Sequence, residues 1–283
     1  MKKYILTPIL FLFVLKGYCY SPDNHAIITQ MAVDYLNEHV RTDYIAEDEA
    51  KNMIEGNKSE DESKLKLPFR LFNFHFYHPS KWKRIMGLTV GSIDRRFNRI
   101  TKRCLRKTSS SKYFFHIGEI LHHLQDYTNP AHVVPVFHLK DAFDKQLIAS
   151  TSSCDTFKIA YDAKPKKKYD KFFLDPIANQ TLQSMKDSFD VVKSRKGNTE
   201  VISVDWTSFW QPSKVFWFGR YGKINRKRGL FKSDHYGENN IVIGKTTYTI
   251  DPQLYKEYSE QQICLAVMET ARFIYFAKER MQK

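Results

Sequence analysis

Gly118-Glu-Ile-Leu-His122-His123-Leu-Gln-Asp126-Tyr-Thr-Asn-Pro-Ala-His132 carries a helix and a candidate ligand set in one segment. Phe114, Ile117, Leu121 and Leu124 fall on one stripe at helical period, and Asn129-Pro130 breaks the pattern, so a helix is expected over 113 to 127. On it His122 and Asp126, four residues apart, share a face and can reach a common ion. An imidazole nitrogen and a carboxylate oxygen both suit Zn²⁺ at about 2.0 to 2.2 Å. His132, just past Pro130, can turn back toward the same place.

A helical His and Asp at that spacing often do no more than share a surface hydrogen bond, so the surroundings matter. Seven of the ten histidines lie between His75 and His138. Upstream stand Glu60-Asp61 and then Phe74-His75-Phe76-Tyr77-His78-Pro79; downstream stand Val136-Phe137-His138-Leu-Lys-Asp141-Ala-Phe143-Asp144. His25 opens another apolar stripe (Ile28, Met31, Ala32, Tyr35, Leu36), which predicts a helix over 25 to 39.

Elsewhere, Ser259 to Met281 is expected as a long helix opened by a Ser-x-x-Gln capping signal, with Ile263, Val267 and Ile274 apolar. A short hairpin is expected over Ile241 to Ile250, turning near Gly244, and residues 164 to 171 read as an exposed loop. There is no internal repeat and no low-complexity linker. One domain is therefore expected.

Met1-Lys-Lys, an apolar stretch from Tyr4 to Leu15, and Gly17 and Cys19 at the −3 and −1 positions have the layout of a secretory signal over residues 1 to 19. The expectation is a mature chain of residues 20 to 283 that is exported, periplasmic or secreted, and has no transmembrane segment. Removing Lys2, Lys3 and Lys16 lowers the formal charge by three, from +14 to +11. So basic a chain favours anionic partners, either a phospholipid surface or nucleic acid. From Lys81 to Lys107 the cations crowd against Asp94 alone, which fits either an ordinary solvated face or a patch for such a surface. Cys104, Cys154 and Cys264 are odd in number, so at most one intramolecular disulfide can form among them.

In their order along residues 20 to 144, these motifs resemble the zinc-dependent phospholipase C group, which shares its fold and three-zinc site with the fungal single-strand-specific nucleases. Tyr258 to Phe276 is similar to the family's closing helix, and residues 145 to 250 show no resemblance. The resemblance implies an all-α, multi-helix bundle with at most a short β-hairpin, and three zinc ions. Asp61, His75, His122 and Asp126 would enclose one ion; His132, His138 and Asp144 a second, with Asp141 a rival for the last place. The third would take His25, Asp126 as a bridge, and the amine and carbonyl of Tyr20 as mature N-terminus. In the nuclease branch the N-terminal aromatic precedes its histidine by five positions, as Tyr20 precedes His25. The family residue is usually tryptophan, and His138 and Asp144 are six apart where four is common. His78, His116 and His123 are not assigned as ligands; His123, turned about 100° from His122 on the helix, reads as structural or as supporting a ligand, and His39 and His235 read as ordinary residues.

The implied activity is hydrolysis of phosphodiester bonds, with Asp61 as the catalytic residue that orients or deprotonates the attacking water. His-x-Leu-Gln-Asp-x-Thr-Asn-Pro-x-His resembles the phospholipase branch, implying release of diacylglycerol from phospholipids. The alternative is a zinc nuclease with bases stacked on Trp206, Trp210 or Trp217 beside Arg220 and Arg226. A third reading is a secreted, zinc-stabilised binding protein without turnover.

Overall fold

Ser21 starts the first helix: its hydroxyl accepts from the Asn24 amide at 3.2 Å, Pro22 supplies a preset φ at the first position, and Asp23 meets the helix dipole. In the computed structural model, α1 runs Pro22–His39 and α2 Glu47–Glu62. The described residues are 21–62, 76–79, 84–85, 88–89, 93–107, 112–136, 141–145, 154, 157–162, 164–165, 168–213, 219–225 and 235–281. Tyr20, His75, His138, Trp217 and Arg226, with the whole 1 to 19 signal reading, lie outside them.

After the two-residue strands β1 (Arg84–Ile85) and β2 (Leu88–Thr89) come α3 (Asp94–Cys104), α4 (Tyr113–Asp126) and the short α5 (Pro130–Val133). Asn129 caps α5 by accepting from the Ala131 amide at 2.9 Å. A 3-10 turn at Phe143–Lys145 and a π-turn at Asp170–Leu174 lead to α6 (Asp175–Ser184). The π-turn begins within the segment read as an exposed loop, because Asp170 is buried and accepts from Asn98 at 2.7 Å.

Helices α1, α2, α4 and the last helix, α7 (Pro252–Met281), pack on one another around Ile28, Leu36, Met53, Ile117, Leu121, Ile274 and their neighbours. The closest pairing is α2 with α4, and two glycines set it. A side chain on Gly56 would collide with the Phe115 carbonyl, and one on Gly118 with the Met53 carbonyl. The two backbones touch, and the residues one turn on from those glycines are thereby pressed together.

The expected all-α architecture is corrected by a sheet. Strands β3 (Ser188–Arg195), β4 (Asn198–Asp205), β7 (Asn240–Ile243) and β8 (Thr246–Thr249) form an antiparallel sheet in the order β4-β3-β8-β7. A second, two-stranded pairing joins β5 (Trp210–Gln211) to β6 (Arg220–Tyr221). The expected hairpin at Gly244 is present as β7–β8, but it is one half of this larger sheet. The other half turns at Lys196-Gly197, where both φ angles are positive (50° and 83°), the geometry of a two-residue hairpin loop. Phe189, Val191, Ile241 and Tyr248 point inward onto Trp206, Phe209, Trp210, Tyr236, Tyr255 and Tyr258; Trp206 stacks on Tyr258 at 4.2 Å.

α7 also begins earlier than its sequence signal. Pro252 opens it and Asp251 accepts from the Gln253 amide, so Ser259 lies two turns inside, its hydroxyl bonded to Tyr236 at 2.9 Å. Cys154 and Cys264 form a disulfide that ties the loop before the π-turn to α7. Cys104 is a buried free thiol, its pKa pushed up to about 12 by burial. Among the described residues no helix is long and apolar enough to cross a membrane.

Candidate metal centre

His25, in the first turn of α1, Asp61, near the end of α2, and His122 and Asp126, in the last turns of α4, meet in the interior, each no more than 4% exposed. The carboxylate of Asp126 lies against both imidazoles. Its Oδ1 lies 3.4 Å from His25 Nε2 and its Oδ2 lies 3.4 Å from His122 Nε2. Asp61 Oδ1 approaches the same His122 Nε2 at 3.8 Å, and the two rings face each other with centroids 4.3 Å apart. Two ligands bound tetrahedrally to one zinc are about 3.4 Å apart when each bond is 2.0 to 2.2 Å.

A hydrogen-bond network orients both rings. Gln125 Oε1 accepts from His25 Nδ1 at 2.6 Å and from Asn57 Nδ2 at 3.0 Å. Asn57 Oδ1 accepts from His122 Nδ1 at 3.3 Å. Gln125 Nε2 donates to Thr29 and Thr270, Asn57 Nδ2 donates also to Thr29, and the Thr29 hydroxyl donates to the His25 carbonyl. Each amide thus presents oxygen to an imidazole N–H and nitrogen to hydroxyls or a second amide. The consequence is a fixed tautomer: Nδ1 holds the proton and Nε2 turns its lone pair on the carboxylates.

Imidazole and carboxylate lone pairs aimed at one another in a dry interior repel unless a cation joins them. A proton can do so, and the His25 pKa reflects it: burial pulls the value down, but the neighbouring Asp126 and Asp61 carboxylates more than reverse this and leave it raised above 6.5. A divalent metal does so with the same lone pairs. The buried His and Asp clusters are sets that could hold a metal ion.

A second set joins the first. His123 Nδ1 is 4.0 Å from Asp126 Oδ2, and His123 Nε2 is 3.8 Å from Glu60 Oε2. Glu60, fully buried, is gripped by Arg96 of α3 through both carboxylate oxygens, at 2.8 and 2.6 Å. Sequence reading gave His123 a structural or supporting role beside a ligand and Glu60 none. The 100° offset that turns His123 from its neighbour aims it at α2, which the Gly56–Gly118 contact brings within reach, and that contact leaves only a pair of glycines as its trace.

Of the other expected ligands, His132 and Asp144 are among the described residues. His132, in α5, is buried, packs its ring against Phe76 at 5.5 Å and gives its carbonyl to the Tyr77 amide. Asp144 is buried beside the start of α1: Asn129 Nδ2 donates to its carboxylate and Asn24 Nδ2 to its carbonyl. Neither joins the clusters formed by the described residues. The carboxylate of Asp141, the rival for the last place, accepts from Trp210 Nε1 at 3.0 Å, Tyr221 at 2.9 Å and the Phe143 amide at 3.0 Å. Asp144 lies in the 3-10 turn Phe143–Lys145.

Trp206 and Trp210, offered above as base-stacking platforms, are 4% and 0% exposed and belong to the aromatic core. No family model, curated protein or solved structure matches this chain.

Proposed function

We propose that the chain is an exported, zinc-dependent phosphodiester hydrolase of the phospholipase C type. The observation that carries this reading is the position of Asp126, with one oxygen toward His25 and the other toward His122 at equal distance. A carboxylate so placed suits a bridge between two ions, which is the role the family resemblance gives it. His25 and Asp126 would contribute to one ion, and Asp61, His122 and Asp126 to the next. Imidazole with carboxylate is a zinc-type donor set. Zinc, when bound, supplies charge neutralisation for the phosphodiester and acidifies water near neutral pH.

The chain's own residues supply the rest. Asn57 and Gln125 hold the two histidines in the tautomer that leaves Nε2 free of its proton. Asp61, whose Oδ1 lies 3.8 Å from His122 Nε2, would take a proton from the attacking water or orient it. The burial of Trp206 and Trp210 removes two of the stacking surfaces that a nuclease reading used, and favours phospholipid as substrate.

The test measures diacylglycerol release from phosphatidylcholine beside hydrolysis of single-stranded DNA, each with and without chelator. Chelator-sensitive release of diacylglycerol is expected. Cleavage of DNA alone would move the assignment to a nuclease, and stoichiometric zinc with no turnover on either substrate would make the chain a zinc-stabilised binding protein.

A further inference from the structure

Helix α3 has two faces with different tasks. Its inner face buries Phe97, Thr101 and Cys104 and sends Arg96 to Glu60, the neighbour of Asp61. On its outer face Arg95, Arg99 and Lys102 follow one another at intervals of four and three residues, which is one stripe of a helix, and Arg103 and Arg106 extend it. All five are exposed, and none is in an ion pair among the described residues. Asp94, the helix's one carboxylate, sits at its N-terminus.

Helix stability explains only part of this. Lys102 and Arg103, in the last turn, complement the helix dipole, whereas Arg95 lies at the end where a cation is unfavourable and Arg99 lies between. Cations four apart also repel one another in solution. A row of like charge kept at that cost fits a polyanionic partner. The helix's aromatic ring, Phe97, is fully buried, so the stripe offers no ring on which a nucleic-acid base could stack. Charge without stacking suits a surface of phosphate headgroups, which attracts basic segments electrostatically at about fivefold in affinity per cation.

We infer that the outer face of α3 docks on an anionic phospholipid bilayer, so that the helix gripping Glu60 beside the metal centre is also the one that rests on the lipid. The choice of lipid among polyanions rests on the phospholipase reading. The charge stripe itself does not.

The experiment is co-sedimentation of the intact protein with phosphatidylcholine vesicles, with and without a minor fraction of phosphatidylglycerol, at several salt concentrations. Hydrolysis of a short-chain phosphatidylcholine, dissolved as monomers, is measured in parallel. The native protein should bind the anionic vesicles, release them as salt rises, and bind the neutral ones far more weakly. The R95E/R99E/K102E variant should lose at least about 100-fold in vesicle affinity, with zinc content and the rate on monomeric substrate unchanged. The charge-conserving R99K/K102R variant should bind like the native chain. Undiminished sedimentation of the charge-reversed protein would overturn the proposal, as would tighter binding of single-stranded DNA than of anionic vesicles at equal salt. If neither protein hydrolyses the monomeric substrate and charge reversal still abolishes vesicle binding, the docking face stands and the hydrolase reading falls.

Discussion

The molecule has two interiors built on opposite principles. Between α1, α2 and α4 the buried side chains include His25, Thr29, Asn57, Glu60, Asp61, His122, His123, Gln125 and Asp126, joined by hydrogen bonds and close ion pairs. Beneath the sheet the buried set is Phe189, Trp206, Phe209, Trp210, Tyr236, Tyr255 and Tyr258, ring against ring. Aromatic burial stabilises by removing apolar area from water, and needs no ligand to make it favourable. Burying several carboxylates and imidazoles is costly unless each is paired or coordinated. The helical interior is the one that could hold an ion, and the sheet interior is mostly rings, its few polar groups bonded to one another.

That contrast can be broken in several places. Replacing Asp126 with Asn should have the largest effect, emptying two metal positions together and lowering phosphodiesterase activity on the order of 10³-fold or more. Zinc content by elemental analysis checks the first half, and an unchanged content would count against a shared ligand. Trp206→Ala should cost about 3 to 5 kcal/mol of stability in denaturant unfolding, while zinc stoichiometry in the folded protein holds. Asn57→Ala should weaken zinc about 10- to 100-fold, since the imidazole of His122 then lacks its orienting acceptor; competition with a chromogenic chelator measures it.

The pH dependence has opposite signs with and without metal. A raised His25 pKa means that the proton shared with Asp126 stabilises the metal-free fold fully below the ordinary value of 6.5, and that this contribution fades as pH climbs through the raised value. Zinc must displace that proton, so its affinity should climb over the same range. Melting temperatures of the metal-free and zinc-loaded protein should separate as pH rises. The smallest effect is expected at Val201→Thr on the exposed sheet face, within about 0.5 kcal/mol.

How much of this the sequence discloses follows from the same contrast. α1 and α4 are legible because each has an apolar stripe on one side, and His25, His122 and Asp126 because a helix converts spacing into direction. Asp61 enters only through the resemblance. The β3–β4 hairpin escapes that logic. β4 alternates weakly, Val201 being exposed and Ile202 and Val204 only half-buried, so no period-two signal marks it. Lys196-Gly197 was nonetheless a readable turn. Ser259 imitates a helix cap since serine serves both at caps and, as here, as a buried hydroxyl inside a helix. The partners of Asp141, Trp210 and Tyr221, come some 70 to 80 residues later. Contacts of that range leave no local pattern.

Anomalous scattering at the zinc edge from crystals of the zinc-saturated protein addresses the metal centre most directly. Two peaks flanking Asp126 are expected, one bonded to His25 and one to His122 and Asp61, at about 2.0 to 2.2 Å from each ligand atom. Histidines 25 and 122 bonded directly to Asp126 with no peak between them, at zinc saturation, would contradict the account.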